Sequence, residues 1–398
     1  MAVRSAESNL EKVATFKVSS RLAELWQHYY GLKQSGRCWY QKLSSIFLSL
    51  GFQQCSIDQA VFHKSDKLKK NITVVAVHVD DCTIAASTTR LVDEFKAGLR
   101  KYVEVTDLGQ LHWMLGVEIK RDRDAGTIHL SQRAYIDSIL HRYHLADLKP
   151  LSTPMDPSNR LTTDQAPASA AEHAMMRDVP YQEAVGALNW AALATRPDIA
   201  FAVSTMAQFA SNPGPAHWDA VKRIFRYLAG TRNLWLSYGE TQRVLEGYAD
   251  ADGSMNDDRR AISGYAFLID GGAVSWSSKR QEIVSLSTTE SEYVAATHGM
   301  KEALWLRSLL SEVVGPMAKA TTLFSDNQAA IALTRDHQYH ARTKHIDVRY
   351  HFIRWVIEQG SLRLVYCPTD DMVADTLTKA LPSAKVKHFA AGLGLRAK

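Results

Sequence analysis

Apolar residues first recur at helical spacing over residues 36–50, where Trp39, Leu43, Ile46, Phe47 and Leu50 share one face of a predicted helix. Two strand-like runs follow, a short one at 60–63 and a β-branched one at 72–79 that ends on Asp80-Asp81. Residues 87–101 return to helical spacing. The segments 112–120 and 127–131 read as a hairpin closed by Asp124-Ala125-Gly126. Residues 181–230 read as helical throughout, punctuated by Pro197, Pro213 and Pro215, each favouring an extended residue before it. From 244 onward the period shortens. Strands are predicted at 244–250, 262–270 and 273–277, with Gly271-Gly272 as the turn between the last two. A long helix over 289–313 opens on a capping-box pair, Ser287 and Glu290, and carries the stripe Tyr293, Ala296, Met300 and Leu304. A fourth strand ends at Ser325-Asp326, helices follow, then a fifth strand at 361–367 and a last helix from Val373. Three strands, a helix, a strand, helices, a strand and a helix make a layered domain of the mixed α/β (α+β) class. Residues 1–28 carry no readable period.

Composition narrows the partners more than the fold. A chain of 398 residues is long enough for two or three domains. Its 46% hydrophobic and 22% charged residues describe a folded chain rather than a disordered one. The net charge of +5 and a pI near 8.8 suit phosphate neutralisation on a nucleic acid. Cys38, Cys55, Cys82 and Cys367 form no CxxC pair, which argues against a zinc site or a disulfide framework and for a reducing compartment. No apolar run approaches the ~20 residues of a membrane helix, and the first residues lack a secretory pattern. The expectation is an intracellular protein of cytoplasm or nucleus with no membrane partner. Pro, Ser, Thr and Ala dominate from Pro150 to Ala170, the best linker candidate.

Several carboxylates stand at positions where distant parts of a chain can converge. Asp250 and Asp252 alternate onto one face of a strand, Asp326 closes another, Glu290 and Glu292 lie in the first turn of the long helix, and Asp375 opens the last one. Acids at helix starts favour the dipole, and aspartates at strand ends make turns, so each alone has a structural explanation. Together on one spot they would repel unless a cation neutralised them. Hard divalent ions take such oxygen ligands, so the set suits a two-metal phosphodiester site.

The segments Tyr248-Ala-Asp-Ala-Asp-Gly-Ser254, Ser287-Thr-Thr-Glu-Ser-Glu-Tyr293, Phe324-Ser-Asp-Asn-Gln328, Thr343-Lys-His-Ile-Asp347 and Ala374-Asp-Thr-Leu-Thr-Lys379 resemble, in that order, the ribonuclease H domain of copia-type LTR retrotransposon polyproteins. The resemblance covers 244–398. It implies metal ligands at Asp250, Asp326, Asp375 and one helix glutamate. Glu292-Tyr-Val-Ala295 fits the wider Glu-Leu-x-Ala pattern, with Glu290 as the alternative; two positions apart on a helix, both cannot face one site. Asp250 is preferred over Asp252. The implied chemistry is in-line hydrolysis of RNA in an RNA–DNA hybrid, with Mg²⁺ or Mn²⁺ activating water and stabilising the leaving 3′-oxygen. His345 is a candidate for proton transfer or hybrid contact, and Arg342, Lys344 and Arg349 form a phosphate-gripping cluster around it. RNA would be told from DNA by its 2′-hydroxyl and by hybrid shape.

The first half resembles reverse transcriptase of the same family. Tyr30-Gly-Leu-Lys-Gln34, Arg37-Cys-Trp-Tyr40, Leu50-Gly-Phe52 and Val77-His-Val-Asp-Asp81 are similar to its later palm motifs, with Lys33 and Arg37 as nucleic-acid contacts. Family-like stretches continue at Asp107-Leu-Gly-Gln-Leu-His-Trp-Met-Leu-Gly116, Thr195-Arg-Pro-Asp-Ile199 and His217-Trp-Asp-Ala-Val-Lys-Arg-Ile224. Two departures matter. His78 stands where the family has Tyr, and the 29 residues before Tyr30 contain no aspartate to serve as the first palm carboxylate. Asp80 and Asp81 are therefore expected to be a polymerase remnant. The expected layout is an incomplete palm at 1–105, a thumb-like segment and linker at 106–160, a helical connection at 161–243, and a ribonuclease H-like mixed five-stranded sheet with helices at 244–398. The expected function is hydrolysis of RNA in RNA–DNA hybrids. The alternatives are RNA-directed DNA synthesis, or an inactive relic that still binds DNA, RNA or their hybrid.

Overall fold

The computed structural model describes residues 12–19, 33–66, 71–239, 244–253, 260–335 and 347–398, with backbone alone at 12, 19, 335 and 347–350. The fold is mixed α/β, as the pattern predicts, and divides into two compact units. One comprises Met1–His112 with Leu304–Lys319, the other Trp113–Ala303 with Ala320–Lys398.

The first unit is built on a sheet of β1 (Lys12–Ser19), β2 (Gln53–Gln54), β3 (Val61–Ser65), β4 (Ile72–His78), β5 (Asp81–Ala86) and β6 (Glu104–Gln110), ordered β2-β3-β4-β5-β1-β6. Helices Ser35–Ser49 and Thr89–Leu99 bury Leu43, Ile46, Phe47, Val92, Phe95 and Leu99 in this unit's core. Phe16, Phe47, Phe52, Phe62 and Phe95 meet there in tilted and edge-on pairs, the geometry that ring quadrupoles favour. β1 was invisible in the period of residues 1–28. It is defined by pairing with β5 and β6, which are distant in sequence.

In the second unit, β7 (Trp113–Met114), β8 (Val117–Asp122), β9 (Thr127–Ser131) and β10 (Leu234–Tyr238) form successive antiparallel pairs, with β7 at the edge of the sheet. A second sheet contains β11 (Glu246–Asp252), β12 (Ile262–Ile269), β13 (Gly272–Arg280), β14 (Thr321–Ser325) and β15 (Leu362–Tyr366). Its order is β13-β12-β11-β14-β15. The first three strands are antiparallel, and β14 and β15 run parallel to β11. The C-terminal β16 (Leu395–Ala397) returns to pair with β10. Helices Tyr181–Ala194, Ala200–Ala207 and Pro215–Thr231 share one core with β12, with Val373 and Leu377, and with the helix Ser383–Gly392.

Two predicted features differ. The Pro- and Ser-rich stretch from Pro150 is no free tether: Met155 and Leu161 are buried, Leu151 N donates to Arg226 O at 3.2 Å, and Arg223 pairs with Asp156 at 3.2 Å. The last predicted helix is split. Val373–Leu377 is a short 3-10 turn, and the α-helix begins only at Ser383, after Pro382. Proline lacks the N–H a continuous helix would need, so the helix restarts behind it. Asp375 therefore sits in a tight turn rather than at the start of a long helix.

The His217-Trp motif has a structural role. His217 Nδ1 accepts from Gly214 N at 2.9 Å, while Nε2 lies 3.0 Å from Thr162 O, and the ring stacks on Phe209. Accepting at Nδ1 requires a neutral ring, in accord with a pKa lowered by burial.

Candidate metal centre

Alternation along β11 turns Ala249 and Ala251 one way and Asp250 and Asp252 the other. Asp250 is 1% exposed, and its cross-strand partner on β12 is Gly264. A Cβ at Gly264 would lie 2.7 Å from Thr378 Cγ2 and 2.8 Å from Leu377 Cβ. The missing side chain thus lets the turn Val373–Leu377 lie directly on β12, which sets Asp375 beside Asp250. Asp326 follows the end of β14, the parallel neighbour of β11.

Three parts of the chain converge in this way. Oxygens of Asp250, Asp326 and Asp375 lie within 4.8 Å of one another. Glu292 flanks them, its Oε2 accepting the Ala251 N–H at 3.1 Å. Glu290 turns back instead: its Oε2 accepts the Leu286 N–H at 2.7 Å, and Ser287 Oγ accepts the Glu290 N–H at 3.2 Å, a capping arrangement at the start of helix Thr288–Val313. Asp252 lies on the same strand nearer its end and is half-buried. Asp326 is half-buried and accepts from Thr369 Oγ1 at 3.0 Å.

The sequence reading missed two neighbours. Thr378 Oγ1 donates to Asp250 Oδ2. Lys379 Nζ is 2.9 Å from Asp375 Oδ1 and 3.7 Å from Asp250 Oδ2. The available signal was a lysine four residues after Asp375, the spacing of facing side chains on a helical turn.

Electrostatics reflects crowding in a poorly hydrated place. Burial, then the charges of Asp250 and Asp326, push the Glu292 carboxyl up to about 10. Burial, then Asp250, push Asp375 up to about 7. Burial also raises Asp250, against the opposing pull of Lys379. For Lys379 burial works downward, but the charges of Asp250 and Asp375 outweigh it and its pKa is raised. The donor set is all oxygen, buried and in excess of its internal cation, and therefore fits Mg²⁺ or Mn²⁺.

A stability test follows. Without divalent ions the folded chain holds protons on Glu292 and Asp375 that the unfolded chain releases near pH 4–5. Stability therefore falls as pH rises from that range towards 7 and beyond. The thermal midpoint in EDTA is expected to drop between pH 5 and pH 8, and less so in Glu292→Gln. Added Mg²⁺ or Mn²⁺ should raise it more at pH 8 than at pH 5. A larger metal effect at pH 5 would contradict the cluster's electrostatics.

The other sequence candidates lie apart in character. Arg342, Lys344 and His345 fall outside the described residues, and Arg349 is described by backbone alone. Lys33 and Arg37 are exposed at the start of helix Ser35–Ser49. Asp80 and Asp81 lie at the β4–β5 hairpin, where Trp39 Nε1 donates to Val79 O at 2.9 Å and Val79 has a positive φ of 55°. On β1, Lys17 is the cross-strand partner of Asp81, with Nζ 3.7 Å from its carboxylate. Among the described residues, Asp80 and Asp81 are not joined by a third acid into a cation-binding group.

Residues 14–157 match the family described as reverse transcriptase (RNA-dependent DNA polymerase). The retrovirus-related Pol polyprotein from transposon TNT 1-94 of Nicotiana tabacum is 40% identical over 95% of this chain, which spans 29% of that polyprotein's length. A transposon Ty5-1 protein of Saccharomyces cerevisiae is 31% identical over 70% of this chain and 89% of its own. Among solved structures, an RNase H1 isolated from compost matches 34% of this chain and 91% of that chain, at 17% identity and a TM-score of 0.27. Among the described residues, no helix is long and apolar enough to cross a membrane.

Proposed function

For this chain, which belongs to the copia-type retrotransposon Pol polyproteins, we propose divalent-metal-dependent hydrolysis of the RNA strand of RNA–DNA hybrids. The chain carries a reverse transcriptase region followed by a ribonuclease H-like unit. The observation that carries the proposal is the convergence of Asp250, Asp326 and Asp375 oxygens within 4.8 Å, from three separate segments of the second unit.

Asp250, Asp326, Asp375 and Glu292 would hold Mg²⁺ or Mn²⁺. When bound, such ions supply charge stabilisation at a phosphoryl oxygen and promote ionisation of an attacking water. The protein's part is positional. Thr378 orients Asp250 and Thr369 orients Asp326. Glu292, anchored on the Ala251 N–H, carries a carboxyl that ionises readily only when a cation is near. Asp326, less buried than Asp250 or Asp375, is the ligand a scissile phosphate would meet at the mouth. The basic excess of the chain suits the backbone of a hybrid duplex.

The test is incubation of the purified full chain with an end-labelled RNA–DNA hybrid. The RNA strand should be cut in Mg²⁺ or Mn²⁺ and left intact in EDTA, with the DNA strand untouched in both. Folded protein that binds the hybrid in the presence of metal but leaves the RNA whole would sink the proposal.

A further inference from the structure

Lys379 lies inside the acidic cluster although it is not an acid. One helical turn beyond Asp375, it approaches Asp375 Oδ1 at 2.9 Å and Asp250 Oδ2 at 3.7 Å. Its side chain is 28% exposed, against 2% for each of these carboxylates. A partly exposed ammonium thus offsets part of the charge of a buried pair. Thr378 Oγ1 engages the same Asp250 oxygen, so two consecutive residues of the segment act on one carboxylate.

A divalent cation held by Asp250, Asp326 and Asp375 needs oxygens that Lys379 already engages. An ammonium and a doubly charged ion at these separations repel strongly, so occupancy by one opposes occupancy by the other. We propose that Lys379 is a resident counter-cation: it keeps the metal-free cluster folded and competes with divalent metal for Asp250 and Asp375, weakening metal binding. The inference rests on Asp250, Asp326 and Asp375 being the metal ligands. It explains how three close carboxylates, two of them buried, can coexist before a metal arrives. It also makes metal loading the event that frees an ammonium at the site's edge.

Calorimetric titration of the full chain with Mn²⁺ tests this, with hybrid absent. Lys379→Met is expected to bind Mn²⁺ about tenfold tighter than wild type, within the usual range of coupling between two sites. Its metal-free thermal midpoint should be lower, and Mn²⁺ should raise it by more than in wild type. Lys379→Arg, which retains a cation, is expected to stay near wild-type affinity and covers the case in which Lys379→Met does not fold. Lys385→Met is the control: it removes a charge paired at 3.0 Å with the exposed Asp370 rather than with one of the three ligands, and should leave affinity unchanged. Wild-type binding with equal or weaker binding by Lys379→Met would overturn the proposal, as would tighter binding by Lys379→Arg. Absence of Mn²⁺ binding by folded wild type would instead overturn the metal-site reading beneath it.

Discussion

Asp326→Asn is expected to abolish metal-dependent cleavage of the hybrid while leaving the chain folded. The loss should be at least about a thousand-fold, since metal ions supply several kcal/mol of charge stabilisation and each ~1.4 kcal/mol is a factor of ten. Asp326 is the safest of the three aspartates to change. It is half-buried, and its hydrogen bond from Thr369 can still be accepted by an amide oxygen. Removing its charge also relieves repulsion on Glu292, Asp250 and Asp375, so the metal-free thermal midpoint should hold or rise. Two companion variants sharpen the result. Glu292→Gln should lose cleavage comparably, because its carboxyl flanks the cluster. Glu290→Gln should stay within about twofold of wild type, because glutamine serves a capping box as well as glutamate does. Full activity in Glu292→Gln with loss in Glu290→Gln would reverse the roles of the two glutamates.

That pair of glutamates illustrates how far the sequence could be read. The long helix and the five strands of the sheet around β11 were legible because alternation and 3.6-residue spacing are local signals. The carboxylate positions were legible because strand ends and helix starts can be located in one dimension. Which glutamate faces the cluster was not decided by spacing alone; it depends on Glu290 bending back onto the Leu286 N–H. β10 and β16 were missed for a related reason. Leu234–Tyr238 and Leu395–Ala397 are short, and what defines them is pairing with each other and, for β10, with β9, all remote in sequence. Lys379 was overlooked because a lysine four residues past an aspartate ordinarily marks a solvated ion pair. Here the turn is pressed onto Gly264, and the same spacing delivers the ammonium to buried carboxylates.

The largest stability effect is expected at the Thr195-Arg-Pro-Asp-Ile199 stretch, whose purpose the sequence left open. Arg196 is 1% exposed and Asp198 2% exposed, and they form a two-point fork: Nε to Oδ1 at 2.9 Å and Nη2 to Oδ2 at 2.7 Å. Tyr227 OH donates to Asp198 Oδ2 at 2.6 Å. Arg196 Nη1 and Nη2 reach Thr231 O at 3.2 Å and Thr231 Oγ1 at 2.6 Å, which supplies partners at the end of helix Pro215–Thr231. For Arg196 burial pulls the pKa down, but Asp198 outweighs it and the net shift is upward. Asp198→Ala would leave a guanidinium buried without its counter-charge, a change that costs about 3–5 kcal/mol. Arg196→Met combined with Asp198→Leu removes both charges and should recover much of that loss, which a double-mutant cycle in urea would measure. Equal destabilisation by the single and double variants would mean that packing, rather than the charge pair, governs this turn. The consequence reaches the metal centre. The turn Pro197–Ile199 packs against Val373–Leu377, the segment that carries Asp375. Asp198→Ala should therefore weaken Mn²⁺ binding as well as folding, because a ligand held by a turn is placed only as firmly as what stands behind it.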